Sequence, residues 1–216
     1  MSVNGKQVKE IINSIAAVIS ENKDYLTKLD ADIGDGDHGL NLDRGFTAVR
    51  EKLKEEDESD IGNILRVVGV TLLSKVGGAS GSLYGTAFMK AAVSVKGKNA
   101  VDVNDFLIML KDALSEIKVR GKANMGDKTM VDSMELAVNS LENSLNQKLN
   151  TVEALKNAKD EAFKGVNSTK SIRARKGRAS YLGEKSIGHQ DPGAVSSYLM
   201  LNVIYEEVRK LAANCY

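Results

Sequence analysis

The sequence predicts an all-α fold, an antiparallel bundle of roughly eight amphipathic helices. Three observations carry that expectation. Apolar residues recur at helical spacing along most of the chain, no stretch alternates apolar and polar residues as a half-buried strand would, and the 216 residues include a single proline and no tryptophan. A chain of this length supports one well-cored domain, and residues 1–216 are read as one.

The first helix carries Val8, Ile11, Ile12, Ile15, Val18 and Ile19 on one stripe. After it comes the run Leu29-Asp30-Ala31-Asp32-Ile33-Gly34-Asp35-Gly36-Asp37-His38-Gly39, read as a loop. Leu42, Phe46, Val49 and Leu53 then mark a second helix beginning near Gly39 to Asn41, so the amides of His38, Gly39 and Asn41 lie at its N-terminus, where an anion is favoured. Lys54 to Asp60 is a charged turn, and Asp60 caps a third helix bearing Ile64, Leu65, Val68 and Leu72. The turn Gly77-Gly78-Ala79-Ser80-Gly81-Ser82 opens a fourth, with Leu83, Ala87, Met89, Ala92 and Val93. Such a turn is either a flexible linker or a second anion cradle, since absent Cβ atoms let amides approach phosphate oxygens.

Asp102 and Asp105 form a capping-box-like start to a fifth helix through Phe106, Leu110, Leu114 and Ile117. The break from Gly121 to Thr129 leads into a sixth with Met130, Met134, Ala137, Leu141 and Leu145. Asn150 and Glu153 box the start of a seventh, through Leu155, Ala158, Ala162 and Val166. Asp191-Pro192-Gly193 opens the last, because aspartate suits a cap and proline the first helical position. That helix carries Val195, Tyr198, Leu199, Asn202, Tyr205 and Val208. In an up-and-down arrangement the turns after the first, third, fifth and seventh helices share one end. The aspartate run, the Gly-Ser turn, the Gly121 to Thr129 loop and the Arg178 to Gly193 loop therefore converge on one rim, as parts of one composite site.

Four short carboxylates between Asp30 and Asp37 repel one another unless a cation sits among them. Magnesium fits, taking oxygen ligands from one or two carboxylates, water and substrate phosphate. An acidic surface loop with glycine turns would contain the same residues. A calcium EF-hand fails on register: counted from Asp30, the fifth ligand position is Gly34 and the twelfth is Asn41.

A net charge of +1 gives no global drive toward nucleic acid or an anionic membrane. The basic stretch from Lys164 to Arg178 has no interleaved aromatic and reads as a solvated loop with one or two phosphate-facing arginines. The lone cysteine, Cys215, excludes an internal disulfide or a thiolate metal cluster. With no signal-peptide core and no apolar run of about 18 residues, a cytoplasmic protein is expected.

Four blocks together resemble the L-subunit (DhaL) family of dihydroxyacetone kinases. They are Leu29-Asp30 through Gly39, Gly77 to Gly81, Gly126-Asp127-Lys128-Thr129-Met130, and Gly177-Arg178-Ala179-Ser180-Tyr181-Leu182-Gly183-Glu184 through Gly188-His189-Gln190-Asp191-Pro192-Gly193-Ala194. The resemblance runs from the first helix to the last. It implies an eight-helix barrel with ADP or ATP across its rim, and Asp30, Asp35 and Asp37 as ligands of two Mg2+ ions that bridge the nucleotide phosphates. By the same resemblance His38, Gly39, Leu40 and Asn41 form the phosphate-side turn with Ala79 and Ser80 opposite. Gly121, Met130, Arg178 and Asp191, Pro192 and Gly193 correspond to further nucleotide contacts. Asp32 matches no ligand position, and neither His38 nor His189 stands in a recognisable triad.

The family implies two partners: a K subunit that holds dihydroxyacetone covalently, and a phosphohistidine donor subunit of the DhaM type from the phosphotransferase system that rephosphorylates a retained ADP. A chain of this length is therefore expected to be catalytically incomplete alone. Two other functions are compatible with the same residues: a kinase domain of this fold for another ketose or a carrier-bound fatty acid, and an ADP-sensing regulator that transfers nothing.

Overall fold

The computed structural model describes residues 1–214, so Cys215 lies outside the described residues. Its helices are α1 (Gly5–Glu21), α2 (Lys23–Ile33), α3 (His38–Leu53), α4 (Ile61–Lys75), α5 (Gly78–Ser94), α6 (Val103–Gly121), α7 (Met130–Asn146), α8 (Thr151–Thr169) and α9 (Pro192–Ala213), with a 3-10 segment over Arg178–Ser186. Starts are set by side chains that satisfy orphan amides. Asn4 and Gln7 box α1, Asp102 and Asp105 box α6, and Asn150 and Glu153 box α8. The Asp60 side chain caps α4 and Asp191 caps α9, with Pro192 in its first turn.

Around the molecule, α1 packs on α3, each following helix packs on the next, and α9 packs back on α1, which closes an eight-membered ring. The stripes read from the sequence face inward: Ile12, Ile15 and Ile19 of α1, Phe46 and Val49 of α3, Ile64 and Val68 of α4, and Leu141 of α7 are buried in one continuous core. Burying a side chain of that size stabilises by roughly 1.5–3 kcal/mol. The interior retains an apolar cavity of about 190 Å3, bordered by Ile12, Phe88, Phe106, Leu110, Met200 and Ile204. Among the described residues no helix is long and apolar enough to cross a membrane.

Three features differ from the sequence expectation. The stretch between the first two predicted helices is not all loop: α2 runs from Lys23 to Ile33 and packs against α3 and α9, so Asp30 sits on a helix. Its inward face is Leu26, Asp30 and Ile33, and the central position of that stripe is a carboxylate, which interrupts the apolar pattern. A short antiparallel pair also forms, β1 (Ser2–Asn4) with β2 (Ala100–Asp102), register Val3 to Val101; three residues are too few to show alternation. Finally, the connection before α9 is partly ordered as the 3-10 segment.

The connections α2–α3, α4–α5, α6–α7 and α8–α9 all reach one rim. The opposite end holds the remaining turns, tied together by Ile61 N–H donating to Lys98 O and Lys9 Nζ to Glu56 O.

Candidate functional site

A cleft of about 220 Å3 opens at the rim where the four connections meet. Its wall contains Asp30, Asp35, Asp37 and His38 from the α2–α3 region, Ala79 and Ser80 from the start of α5, Gly121 and Met130 from either side of the α6–α7 loop, Arg178, and Asp191, Pro192 and Gly193. Of the predicted site residues, Gly39, Leu40 and Asn41 do not line it with side chains. Leu40 is 52% exposed, Asn41 is buried with its Oδ1 accepting from Arg44 Nη2 at 2.7 Å, and Gly39 lies under α2. What that turn can offer a ligand is backbone.

One oxygen from each of Asp30, Asp35 and Asp37 lies within 4.8 Å of the others. Asp30, at 9% exposure, is fixed by two amides: its Oδ2 accepts from Asp37 N at 2.9 Å and His38 N at 3.1 Å. Gly34 N–H donates to Asp30 O at 2.5 Å, and a Cβ on Gly34 would fall 2.2 Å from Asp30 Oδ1, so the turn that brings Asp35 and Asp37 back toward Asp30 needs glycine there. Charges at this spacing repel by about 1 kcal/mol per pair in water and by about 3 kcal/mol at an effective dielectric of 20. Arg178 Nε, 2.9 Å from Asp35 Oδ2, relieves part of this, although its side chain is mostly solvent-exposed and the pair is correspondingly weak. An all-oxygen set with open positions fits a hard divalent cation such as Mg2+. Asp32 faces away from it, with its Oδ2 3.5 Å from His189 Nδ1.

Four helices, α3, α5, α7 and α9, begin at this rim and direct the positive ends of their dipoles toward it. They are not equivalent. Thr129 and Asp191 cap α7 and α9 with their own side chains, whereas neither Asp37 nor Gly77 makes a side-chain cap bond to α3 or α5. The two N-termini left for an anion are those beside the carboxylates.

Behind the cleft, His38 is enclosed between two hydroxyls, Ser80 Oγ at Nδ1 and Ser196 Oγ at Nε2, both at 2.9 Å. Burial lowers its pKa to about 4 against the opposing pull of Asp30 and Asp35. Burial likewise raises Tyr84 to about 12. Asp191 is pushed up to about 7 by burial and, in part, by Asp132 and Asp30, even though it accepts from Ala194 N–H at 2.7 Å. Lys128, 1% exposed, donates from Nζ to Thr169 O and His189 O at 2.5 Å and to Ile172 O at 3.3 Å, which fastens the end of α8 to the loop before α9. Sequence reasoning did not single out Tyr84, Ser196, Ser197 or Lys128 as individual residues. The adjacent serines in the largely apolar first half of α9 were the one available signal, since buried hydroxyls require partners.

The DAK2 domain family model matches residues 32–206. The chain is 45% identical over 204 residues to the Escherichia coli protein described as PEP-dependent dihydroxyacetone kinase, ADP-binding subunit DhaL, covering 94% of this chain and 97% of that one. This chain belongs to the DhaL family. A Lactococcus lactis DhaL, described as the ADP-binding subunit of a PTS-dependent dihydroxyacetone kinase, is 41% identical over 190 residues, covering 88% of this chain and 91% of that one. The DhaL fold is also found in the crystal structure of the dihydroxyacetone kinase of C. freundii in its native form, at TM-score 0.71 and 25% identity, covering 92% of this chain. This chain spans 34% of that kinase, whose complex with AMP-PNP and Mg2+ has the same fold at TM-score 0.71. The helical ring closed by α1 and α9 is thus the DhaL architecture, as the sequence resemblance implied.

Proposed function

We propose that residues 1–216 act as one nucleotide-binding domain, the ADP/ATP-binding subunit of a phosphotransferase-system-dependent dihydroxyacetone kinase. In this reading a phosphoryl group passes from the Mg2+-bound nucleotide to dihydroxyacetone held on a separate K subunit. The observation that carries the reading is the pairing of three converging carboxylates with two helix N-termini that lack side-chain caps. Phosphoryl transfer is chiefly positioning plus neutralisation of charge, and that pairing supplies the means for both.

Asp30, Asp35 and Asp37 would hold two Mg2+ ions, which supply positive charge against the phosphate oxygens. The chain's own groups then divide the work. First-turn amides of α3, from His38 to Asn41, and of α5, at Ala79 and Ser80, receive phosphate oxygens. Arg178, placed over Asp35, can move its guanidinium between carboxylate and phosphate. Gly121, Met130 and the Asp191-Pro192-Gly193 turn would hold the nucleoside and keep water from it, with Gly193 packed 3.5 Å from Met130 if a Cβ is placed on it. Among the described residues no group is poised as the base for the acceptor hydroxyl: both nitrogens of His38 are occupied and His189 is at the surface beside Asp32. Activation of the acceptor accordingly falls to the K subunit. Rephosphorylation of retained ADP falls to a DhaM-type phosphohistidine protein.

Native mass spectrometry of the purified chain is expected to show bound ADP and magnesium. Transfer to dihydroxyacetone is expected only when K and donor subunits are added. Phosphorylation of the sugar from ATP by this chain alone, at an ordinary kinase rate, would refute the division of labour.

A further inference from the structure

An unbroken line of hydrogen-bonding groups runs inward from the cleft. Ser80 Oγ is 2.9 Å from His38 Nδ1, His38 Nε2 is 2.9 Å from Ser196 Oγ, Ser196 Oγ is 2.7 Å from Tyr84 Oη, and Tyr84 Oη is 2.8 Å from Ser197 Oγ. Ser80 borders the cleft, whereas Tyr84 and Ser197 border the apolar cavity behind it. Gly193 O stands beside the line as a competing acceptor, 3.2 Å from Tyr84 Oη and 3.1 Å from Ser196 Oγ, although each hydroxyl has a single proton to give. Apart from Ser80 the members are shielded from water, so the line is completed within the protein.

Proton counting limits what such a line can do. With a singly protonated ring, four hydroxyls and one imidazole carry five mobile protons, and four links use four of them. When all four links are made and neither Tyr84 nor Ser196 turns its proton to Gly193 O, one proton is left over, at one end or the other. If the line runs inward, Ser80 donates to His38 Nδ1 and presents only lone pairs to the cleft. If it runs outward, His38 Nδ1–H donates to Ser80 and the Ser80 proton points into the cleft. The inward direction leaves the spare Ser197 proton at the border of the apolar cavity, whereas the outward direction brings the spare proton to the cleft, so an acceptor in the cleft favours the outward direction.

We infer that a nucleotide phosphate selects the outward direction and that Tyr84 is the positioning residue that sustains it. In that state Ser197 donates to Tyr84, Tyr84 to Ser196, Ser196 to His38 Nε2, His38 Nδ1–H to Ser80, and Ser80 to a phosphate oxygen. Phosphate oxygens only accept, and against an inward-turned Ser80 two acceptors would face each other. The inference rests on the nucleotide reading above and adds to it a defined tautomer and a set of residues with no ligand contact of their own.

The test is a long-range 1H–15N spectrum of the whole chain with 15N-labelled histidine, saturated with ADP and Mg2+, using His189→Gln to assign the ring of His38. The expected result is protonation at Nδ1 with Nε2 bare. Protonation at Nε2, or at both nitrogens, while calorimetry on the same sample shows ADP bound, would overturn the inference and leave the nucleotide reading standing. If calorimetry finds no ADP binding, the nucleotide reading falls and takes this one with it. Tyr84→Phe is expected to weaken ADP binding roughly five-fold, as for one lost neutral hydrogen bond, and to leave adenosine binding unchanged. An equal loss for adenosine, or no loss for ADP, would remove Tyr84 from the line, and the wild-type spectrum decides the tautomer whether or not that variant folds.

Discussion

Gly39→Ala separates two physical effects of opposite sign. Gly39 is in the first turn of α3, and helix propensity alone predicts that alanine there stabilises by about 1 kcal/mol. The packing predicts the reverse. A Cβ at this position would lie 1.9 Å from Lys23 O and 2.7 Å from Thr27 Oγ1, against an ordinary contact beyond about 3.4 Å, and the nearer atom is backbone of α2 that cannot rotate away. The two helices must separate by more than an ångström, an overpacking cost of about 1–3 kcal/mol. A net loss near 1 kcal/mol corresponds to a fall in Tm of about 2–4 °C for a chain of this size. The larger consequence is at the site. Asp30 belongs to α2 and its Oδ2 is held by amides at the start of α3, so moving one helix from the other withdraws Asp30 from Asp35 and Asp37. Misplacement of about 1 Å in a catalytic constellation costs on the order of a hundred-fold in rate, and here a marked loss of Mg2+-dependent ADP binding is expected with it. Calorimetric titration with ADP and Mg2+ and a thermal melt, run beside Leu40→Ala as an exposed neighbour, measure both. An unchanged or raised Tm with wild-type ADP affinity would show that the close approach of α2 and α3 does not position Asp30.

Three further outcomes are expected. Asp35→Asn and Asp37→Asn should each abolish Mg2+-dependent retention of ADP while leaving the metal-free Tm equal or slightly raised, because each removes one member of a repelling cluster; a variant that keeps turnover would contradict the metal assignment. For pH, the two buried groups oppose each other. Asp191, raised to about 7, is held protonated by the folded state between its unfolded value and 7, so its contribution is full at low pH and is lost as pH rises; His38, lowered to about 4, makes the unfolded state bind more protons between 4 and 6.5, so its contribution is lost as pH falls. Each is on the order of 3 kcal/mol, and in Asp191→Asn the metal-free stability measured by urea unfolding should therefore rise from pH 4.5 to 6.5 more steeply than in wild type. An unaltered slope would contradict the burial argument for Asp191. Lys128→Met strands the carbonyls of Thr169, Ile172 and His189 and should cost about 3 kcal/mol, with faster hydrogen exchange at the end of α8 as the local signature.

What the sequence displayed was determined by chemistry local to each stretch. Caps are written in side chains, so Asp60, Asn150 with Glu153, and Asp191 with Pro192 marked helix starts that the structure keeps. The acidic run was legible as a cation site from its four close carboxylates, but the choice of Asp30, Asp35 and Asp37 over Asp32 came from the family resemblance, and those are the three whose oxygens the fold brings together. Helix α2 was hidden by the same residue that gives the site its buried ligand candidate: a carboxylate between Leu26 and Ile33 removes the period by which a helix is read. Gly39, Leu40 and Asn41 do not line the cleft with side chains, so all they can offer a ligand there is main chain, which no side-chain pattern reveals. Ser196, Ser197 and Tyr84 acquire their meaning only from a partner on another helix.

Because the cleft is made from connections spread around the whole ring, with α1 and α9 meeting to complete it, an occupant works as a clasp on the barrel. A molecule that binds only the closed form at a thousand times its dissociation constant adds about 4 kcal/mol to folding stability. Contacts drawn from several connections at once tie the occupant's hold to the closed ring, so opening of the ring weakens that hold along with the fold. A destabilising change far from the rim should therefore weaken binding in the cleft as well as the fold.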